Sequence, residues 1–212
     1  MRIGFLDDPR PGYRLAGIGN TELWWCESGW KIGRERAAPS PTTESLGATE
    51  SVQLSLAGGE YEPVQVVLRP RQATRLLGVD WQPAGDDRAG TNAITARIER
   101  VEYVPVVRPT DGTCLPGWYP DPLPPLHLPW ELRAEENQPL WITFHAPAGT
   151  RAGAHGGVLT FKTADSQWRV PVRLTVYGFD LPRETHLRRA LGLGTHAINE
   201  YHGLTRPEDQ RA

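Results

Sequence analysis

Residues 168–176, Trp-Arg-Val-Pro-Val-Arg-Leu-Thr-Val, decide the fold class of this chain. A hydrophobic side chain occupies every second position, and arginine, proline or threonine stands between them. Because successive side chains of a β-strand point to opposite faces of a sheet, this alternation predicts a strand with one face on a core. Pro171 has no N–H to donate, so we expect an edge strand or an outward-pointing position there.

The same period of two recurs through the middle of the chain. The strand-like segments are residues 52–56, 64–68, 94–104, 140–144 and 159–161. Nothing between residues 20 and 180 keeps the 3.6-residue period of an amphipathic helix. Six to nine short strands without crossover helices predict an all-β fold, an antiparallel two-sheet β-sandwich. We place this sandwich at residues 20–182 and treat residues 1–19 as an N-terminal extension.

Composition excludes several classes of protein. The chain has 212 residues, 23 basic and 25 acidic side chains, and a net charge of −2. No Lys/Arg block and no apolar run of about 18 residues occurs, so we expect neither a nucleic acid nor a membrane as partner. The 22 glycines and 20 prolines fit many strands joined by turns.

The cysteines and the N-terminus bear on location. We favour two buried thiols for Cys26 and Cys114, and a disulfide between them is the alternative if the chain is exported. Residues 1–6 are too short for a signal sequence, and acidic residues follow at once. The sequence as given therefore predicts a cytoplasmic protein; a secreted or periplasmic one is the alternative if the N-terminus is incomplete.

Two segments depart from the strand pattern. Residues 109–138 form a long proline-rich insertion, which we interpret as a functional or packed loop. Near the C-terminus, residues 187–193 predict a short strand, and Thr205 with Glu208 forms a capping box that predicts a helix start. We interpret residues 183–212 as the β-α beginning of a second, truncated domain.

Several segments together resemble one family. The matching segments are Leu23-Trp24-Trp25 with Lys31-Ile32, residues 59–70, 101–104, 118–123 and 137–141, Pro147 with Gly153-x-His155-x-Gly157, and residues 179–182. In this order they resemble the N-terminal region of glycoside hydrolase family 123, over residues 23–182. One position departs from the family pattern, because His155 stands where we expect a tyrosine.

The resemblance implies a two-part enzyme. In such a protein a β-sandwich precedes a (β/α)₈ barrel, an adjacent Asp-Glu pair lies in the barrel, and the acetamido group of an N-acetylgalactosaminide acts as nucleophile. On this basis residues 183–212 are the start of the catalytic barrel. No Asp-Glu dipeptide occurs in this chain, so we transfer no catalytic residue. Glu60 and Glu62 are candidates for a sugar contact, but we favour a turn that binds backbone.

The histidines and glycines indicate neither a metal nor a cofactor. The six histidines show no H-x₃-H or H-E-x-x-H spacing, so we expect no metal site. No P-loop, no G-x-S-x-G elbow and no G-x-G-x-x-G after a strand is present, and we expect no cofactor.

Aromatic residues give the remaining candidates. Trp81 and Trp168 fit strand positions and are expected in the core. In the long loop, Trp118, Tyr119 and Trp130 predict either an interface with the barrel or a platform for sugar rings, and we favour the interface.

Beyond the predicted strand 187–193, two further residues are candidates for a functional site. Glu200 and His202 follow the first strand of the expected barrel. Barrel active sites lie on loops after strands, so these two side chains are candidates for substrate contact.

Three functional hypotheses follow. The first is a non-catalytic N-terminal β-sandwich that supports the barrel of a family 123-like glycosidase. The second is a free-standing carbohydrate-binding module. The third is an interaction domain that pairs with a separately encoded barrel. The expected partners are accordingly the missing C-terminal barrel or a carbohydrate.

Overall fold

A computed structural model describes residues 6, 8, 10–40, 50–85, 93–109, 115–184 and 195–204 of the chain. The chain divides into two compact units, residues 1–181 and residues 182–212. The strands of the first unit are β1 (Tyr13–Ile18), β2 (Thr21–Glu27), β3 (Val52–Gly58), β4 (Tyr61–Pro70), β5 (Thr74–Pro83), β6 (Thr95–Arg100), β7 (Tyr103–Val106), β8 (Gly117–Pro120), β9 (Trp130–Leu132), β10 (Gln138–His145), β11 (Gly153–Thr163) and β12 (Gln167–Asp180).

The described residues of the first unit form two five-stranded sheets and one two-stranded ribbon. The first sheet has the order β1-β2-β4-β10-β6, the second has the order β3-β12-β11-β5-β9, and β7 pairs with β8. The all-β sandwich is therefore confirmed. One detail differs from the antiparallel expectation, because β3 runs parallel to β12, with Val52 opposite Val172. A period of two shows which face of a strand is buried but not the direction of its neighbour.

The core lies between the two sheets. Inward side chains of both sheets form one buried cluster, which includes Val66 and Ile142 from the first sheet and Phe161 and Trp168 from the second. Burial along β12 alternates from Trp168 to Val176, as its sequence predicts. The other predicted core tryptophan, Trp81, is partly buried against this cluster.

Of the two alternatives expected at Pro171, the edge strand was wrong. Strand β12 lies between β3 and β11, inside its sheet. Its pairing with β3 begins at Val172, so Pro171 precedes the ladder on that side. The sheet tolerates the missing N–H because the proline sits where one of the two neighbours has not yet begun.

The sandwich begins earlier than residue 20. Strand β1 pairs with β2, and the ring of Tyr13 stacks on Trp25 with centroids 4.3 Å apart. Residues 13–18 therefore belong to the first sheet rather than to an extension. Their sequence, YRLAGI, mixes polar, small and hydrophobic residues without a clear alternation, which hid the strand.

The insertion at 109–138 is more regular than a loop. It contains β8 and β9, and the backbone of residues 122–125 runs along residues 99–102 through hydrogen bonds and a β-bridge. The long run predicted at 94–104 is also divided, since β6 ends at Arg100 and β7 begins at Tyr103.

Segments that carry the family resemblance meet at one end of the sandwich. In the turn after β3, the Gly59 N–H donates to the Ala146 carbonyl at 2.7 Å, and Ala146 N–H donates to the Glu60 carbonyl at 3.3 Å. The Leu181 N–H donates to the Gly58 carbonyl at 2.7 Å. Backbone hydrogen bonds thereby join three segments that are distant in sequence. These bonds also satisfy polar groups at the end of the sheets.

Two amides from the same segments fix the chain after β2. Gln65 Nε2 donates to the Trp30 carbonyl at 2.7 Å. Asn137 Nδ2 donates to the carbonyls of Gly33 and Arg36 at 2.9 and 2.8 Å. Both amides are buried, so these bonds satisfy polar backbone that has no strand partner.

The second unit is described only in part. Helix α1 (Thr195–Tyr201) forms where no helix was predicted, and its last turn continues with the His202 N–H donating to the Ile198 carbonyl at 3.0 Å. The predicted strand 187–193 and the Thr205 capping box lie outside the described residues. The beginning of a barrel stays a prediction. No helix among the described residues has the length and hydrophobicity needed to span a membrane.

Candidate functional site

Two of the predicted aromatic residues, Trp118 and Trp130, line the same cleft of the first unit. The cleft has a volume of about 290 Å³. Its other lining residues used below are Arg34, Tyr103, Arg133, Glu136, Asn137 and Gln138. The two tryptophans come from different parts of the fold, since one lies in the β7–β8 ribbon and the other on β9.

The register of the ribbon positions Trp118. Pro105 is opposite Trp118, and Tyr103 is opposite Pro120. Because cross-strand partners share a face and residues two apart lie on the same face, Tyr103 and Trp118 face the same side of the ribbon. That side borders the cleft.

A glutamine fixes Trp130. The indole Nε1 of Trp130 donates to Oε1 of Gln138 at 3.0 Å. Gln138 Nε2 donates in turn to the carbonyls of Val101 and Pro139, each at 3.0 Å. This amide therefore joins β9 to the chain between β6 and β7 and leaves the indole N–H satisfied.

A guanidinium group covers part of each indole. Arg34 Cζ lies 4.4 Å from the ring centroid of Trp118, and Arg100 Cζ lies 4.0 Å from that of Trp130. Both distances are within the range of cation–π attraction. Trp118 nevertheless stays 42% exposed. An exposed indole beside planar polar groups is suited to stacking against a ligand ring.

Three residues that line the cleft have a buried polar atom without a hydrogen-bond partner, and one of these atoms is Arg34 Nε. The Tyr103 hydroxyl and Asn137 Oδ1 are the other two. Asn137 is only 3% exposed, although its Nδ2 is satisfied by backbone. Burial raises the pKa of Tyr103 above its usual range, so the hydroxyl keeps its proton and can donate. Buried polar atoms without partners are uncommon in folded proteins and require an explanation.

Charges of both signs surround the cleft. Arg34 Nε lies 3.8 Å from Glu136 Oε2, and Arg133 Nη1 lies 3.9 Å from the same oxygen. Glu102 and Glu131 also line the cleft. The lining therefore carries donors and acceptors without a strong excess of either sign.

Tyr119 lies outside this cleft lining. It is buried, and its hydroxyl donates to the Leu115 carbonyl at 2.8 Å while accepting the Leu115 N–H at 3.2 Å. In the β7–β8 ribbon it faces away from Trp118. Its contacts therefore hold the chain before β8.

Glu200 and His202 belong to the second unit. Glu200 Oε2 lies 3.8 Å from His196 Nδ1, one helical turn away, and both side chains are largely exposed. The His202 ring meets Tyr201 edge to face, with centroids 5.2 Å apart. A role in substrate contact stays a prediction for both residues.

The turn interpretation is confirmed for Glu60. Its Oε2 accepts the Ala57 N–H at 2.6 Å, across the turn that joins β3 to β4. Burial, and then the neighbouring charge of Glu60, raises the pKa of Glu62. The recognisable Glu-x-Glu segment thus contains one carboxylate that stabilises a turn.

Other sequence predictions concern cysteine and metal. Cys26 is a buried free thiol, as favoured, and Cys114 lies outside the described residues. In the part of the chain that the structure describes, no three metal-binding side chains come together.

Sequence reasoning missed four polar residues of the cleft, namely Arg34, Tyr103, Asn137 and Gln138. The last three lie in segments that carry the family resemblance, which was the available signal. Their roles were hidden because each depends on distant residues: Asn137, for example, binds a turn about 100 positions earlier.

Comparison with solved structures supports the fold. A family 123 glycoside hydrolase from Clostridium perfringens, whose study concerns glycolipid glycan hydrolysis, aligns with a TM-score of 0.55 and 10% identity. The alignment covers 76% of this chain and 28% of that one, so the chain spans under a third of that enzyme's length. At this identity the likeness shows the fold alone.

Two cohesins are more remote. The seventh type I cohesin of ScaB from Pseudobacteroides cellulosolvens aligns over 65% of this chain and 95% of its own, with 11% identity and a TM-score of 0.28. A non-cellulosomal cohesin from Archaeoglobus fulgidus aligns over 60% and 88%, with 9% identity and a TM-score of 0.28. No protein-family model and no curated protein matches the sequence.

Proposed function

We propose that residues 1–181 are a non-catalytic β-sandwich domain of a family 123-like glycoside hydrolase and that they support its catalytic barrel. The observation that carries this proposal is the alignment with the Clostridium enzyme, which covers most of this chain and little of that one. That is the relation expected between an accessory domain and a whole enzyme.

The ordered sequence segments add a second line of support. The segments around Gly59, Pro147 and Leu181 resemble family 123 separately, and in the fold they close one end of the sandwich. Residues that maintain a common domain are expected to show this convergence. A chance match would scatter its segments over the surface.

Two acidic residues in those segments have structural roles. Glu60 accepts the Ala57 N–H, and both carboxylate oxygens of Asp180 accept the Gly149 N–H. The reaction implied by the resemblance needs a carboxylate that orients the acetamido group and a carboxylic acid that protonates the leaving oxygen. The implied Asp-Glu pair does not occur in this sequence.

Two measurements test the proposal. The purified 212-residue chain should not hydrolyse nitrophenyl N-acetylgalactosaminide, and measurable turnover that persists through purification would contradict the non-catalytic role. The chain should also form a stable complex on co-expression with a (β/α)₈ barrel encoded downstream or by an adjacent gene. Separate elution of the two folded proteins on gel filtration would contradict the supporting role.

A further inference from the structure

A different cavity opens on the side of the sandwich where β5 faces β6. This side cavity has a volume of about 440 Å³, and its lining includes Val79 and Trp81 of β5 and Ile94, Ala96 and Ile98 on or beside β6. The Trp81 indole Nε1 donates to the Ile94 carbonyl at 3.0 Å, which fixes the ring between the two sheets. All of these side chains except Ile94 pack on the core but are only partly buried. Part of the inner hydrophobic layer is therefore left accessible on this side.

The edge of β5 beside the side cavity has unpaired backbone. Strand β9 pairs with β5 only at residues 74–76. On the other side of β5, the Ala84 N–H donates to the Gly156 carbonyl at 2.8 Å and continues the ladder with β11. Because alternate residues of an antiparallel strand bond to the same neighbour, Val79 and Trp81 direct their N–H and C=O groups away from β11. The described part of the chain provides no backbone partner for these groups.

The edge of β6 faces the same gap. The Arg100 N–H donates to the Pro124 carbonyl at 3.2 Å, outside the pairing of β6 with β10. The same alternation directs the N–H and C=O groups of Ala96 to this side. Extended segments of this chain thus already pair with part of each edge, namely β9 along β5 and residues 122–125 along β6. Within the described residues, the rest of both edges is free to pair with a further strand.

The free edges and the cavity together define most of the chemistry of an occupant. Unpaired N–H and C=O groups at a strand edge bind the backbone of another extended chain. Successive side chains of that chain point to opposite faces, so every second one would enter the side cavity. There it would meet Val79, Trp81 and Ile98, which requires hydrophobic side chains at alternate positions.

Asp80 defines the charge on the other face of the occupant. It lies between Val79 and Trp81 and is exposed on the outer face of the sheet. Where β9 pairs with β5, Glu131 is opposite Arg75, so the chain's own strand places opposite charges side by side. An added strand that follows this pattern carries a basic residue opposite Asp80.

We propose that an extended peptide segment, hydrophobic at alternate positions and basic opposite Asp80, adds to the free edge of β5 and fills the side cavity. The segment continues the antiparallel ladder that β9 begins. The proposal does not rest on the proposed support of a barrel, since all residues of this site lie in the first unit. It makes the sandwich a peptide-binding domain in its own right.

The test is titration of the ¹⁵N-labelled 212-residue chain with the peptide acetyl-Lys-Val-Thr-Val-Lys-Val-Thr-Val-Lys-amide, followed by calorimetry and amide hydrogen exchange. In the free chain, the amides of Val79 and Trp81 should exchange rapidly, whereas those of Asp80 and Gln82, which bond to β11, should exchange slowly. The peptide should slow exchange at Val79 and Trp81 by at least about tenfold. No binding at a peptide concentration of about 1 mM overturns the proposal.

Two modified peptides separate strand addition from other modes of binding. N-methyl groups on the two central valines remove backbone donors and keep every side chain, so they should abolish binding. A peptide with the same composition in a non-alternating order should also fail to bind. Equal binding of the N-methylated and parent peptides overturns the addition of a strand, and the result does not depend on any change in the protein.

A charge reversal on the protein locates the peptide. Asp80→Lys should weaken binding about threefold to tenfold, because a lysine of the peptide then meets a like charge. Glu50→Lys is the matched control, since Glu50 is exposed and does not line the side cavity. Equal affinity of the two variants overturns the placement of the peptide beside Asp80.

The exchange of the free chain also tests two other occupants of the edge. If Val79 and Trp81 are protected without peptide and the protection grows with protein concentration, a second copy of the chain occupies the edge. If the protection does not depend on protein concentration, another segment of the same chain occupies it. Either result overturns the proposal of a peptide partner.

Discussion

A Cβ atom placed on Gly58 would lie 1.8 Å from Oδ1 of Asp180. This close approach joins the end of β3 to the end of β12, where the two strands pair through Gly58 and Asp180. The carboxylate is not free to move away, because its two oxygens accept the Gly149 N–H at 3.1 and 3.0 Å. Only glycine fits at this position while that contact is kept.

Gly58→Ala should therefore destabilise the sandwich. The new methyl group must displace the Asp180 carboxylate from Gly149, and we expect a loss of about 1–2 kcal/mol in the free energy of unfolding by urea. Gly29→Ala is the matched control, since a Cβ there meets nothing within 4 Å.

Asp180→Ala tests whether the Asp180 carboxylate causes the loss of stability expected in Gly58→Ala. In this background the obstructing carboxylate is gone, so adding Gly58→Ala should cost less than it does alone. The resulting double-mutant cycle should give a coupling free energy of about 1 kcal/mol. Strictly additive effects would show that the strain at Gly58 arises from another contact.

Glu60→Ala should also lower stability. The carboxylate accepts the Ala57 N–H at 2.6 Å, and its removal leaves that donor without its partner in the turn. We expect a cost of about 1 kcal/mol by urea unfolding, and less for Glu60→Gln, which retains an acceptor oxygen. Glu50→Ala, at an exposed position, is the control and should have little effect. Equal stability of Glu60→Ala and this control would remove the structural role of the carboxylate.

The strands that could be predicted from sequence are those with one buried face. Along β12 and β10 the alternation of hydrophobic residues coincides with alternating burial, so local pattern and tertiary structure agree. Strand β9 has only three residues and cannot show a period of two. Strand β1 gains its place by packing Tyr13 on Trp25, a contact between side chains that the sequence pattern does not reveal.

The candidate site likewise contains some residues that could be predicted from the sequence and others that could not. Trp118 and Trp130 could be selected because large aromatic residues in a polar, proline-rich segment are unusual. Tyr103 and Asn137 could not, because what distinguishes them is a missing hydrogen bond, and that depends on every neighbour in the fold. The position of Tyr119 depended on strand register, which turns adjacent residues to opposite faces.

Gln138→Ala should loosen the wall of the cleft. The amide of Gln138 accepts from Trp130 Nε1 and donates to the carbonyls of Val101 and Pro139. Its loss leaves a part-buried indole N–H without a partner, so we expect a cost of about 1–3 kcal/mol by urea unfolding.

The fluorescence of the native state gives a second measurement for the same change. We expect a red shift in Gln138→Ala, since water gains access to the Trp130 indole. Gln82→Ala is the control, because the Gln82 side chain is exposed and its described hydrogen bond goes only to the nearby Asp80. An unshifted spectrum together with parental stability would show that Gln138 does not hold the tryptophan.

Cys26 should make stability fall with rising pH in alkaline solution. Burial raises the pKa of this thiol from 9.0 to about 12, because the thiolate would lose its hydration inside the protein. Below about pH 9 both the folded and the unfolded chain keep the proton, and the contribution to stability is fully present. Between about pH 9 and 12 the unfolded chain releases the proton while the folded chain retains it, so unfolding becomes easier by about 1.4 kcal/mol per pH unit.

The measurement compares the pH dependence of urea unfolding in two variants. Both carry Cys114→Ala, so that the second thiol does not titrate, and one also carries Cys26→Ala. Burial also raises the pKa of Tyr13 and Tyr103, and these groups steepen the alkaline loss equally in both proteins. Above pH 9 the free energy of unfolding should therefore decline more steeply in the protein that keeps Cys26. This difference in slope does not depend on a constant difference in stability between the two variants. Parallel curves would mean that the Cys26 thiol reaches solvent in the folded state.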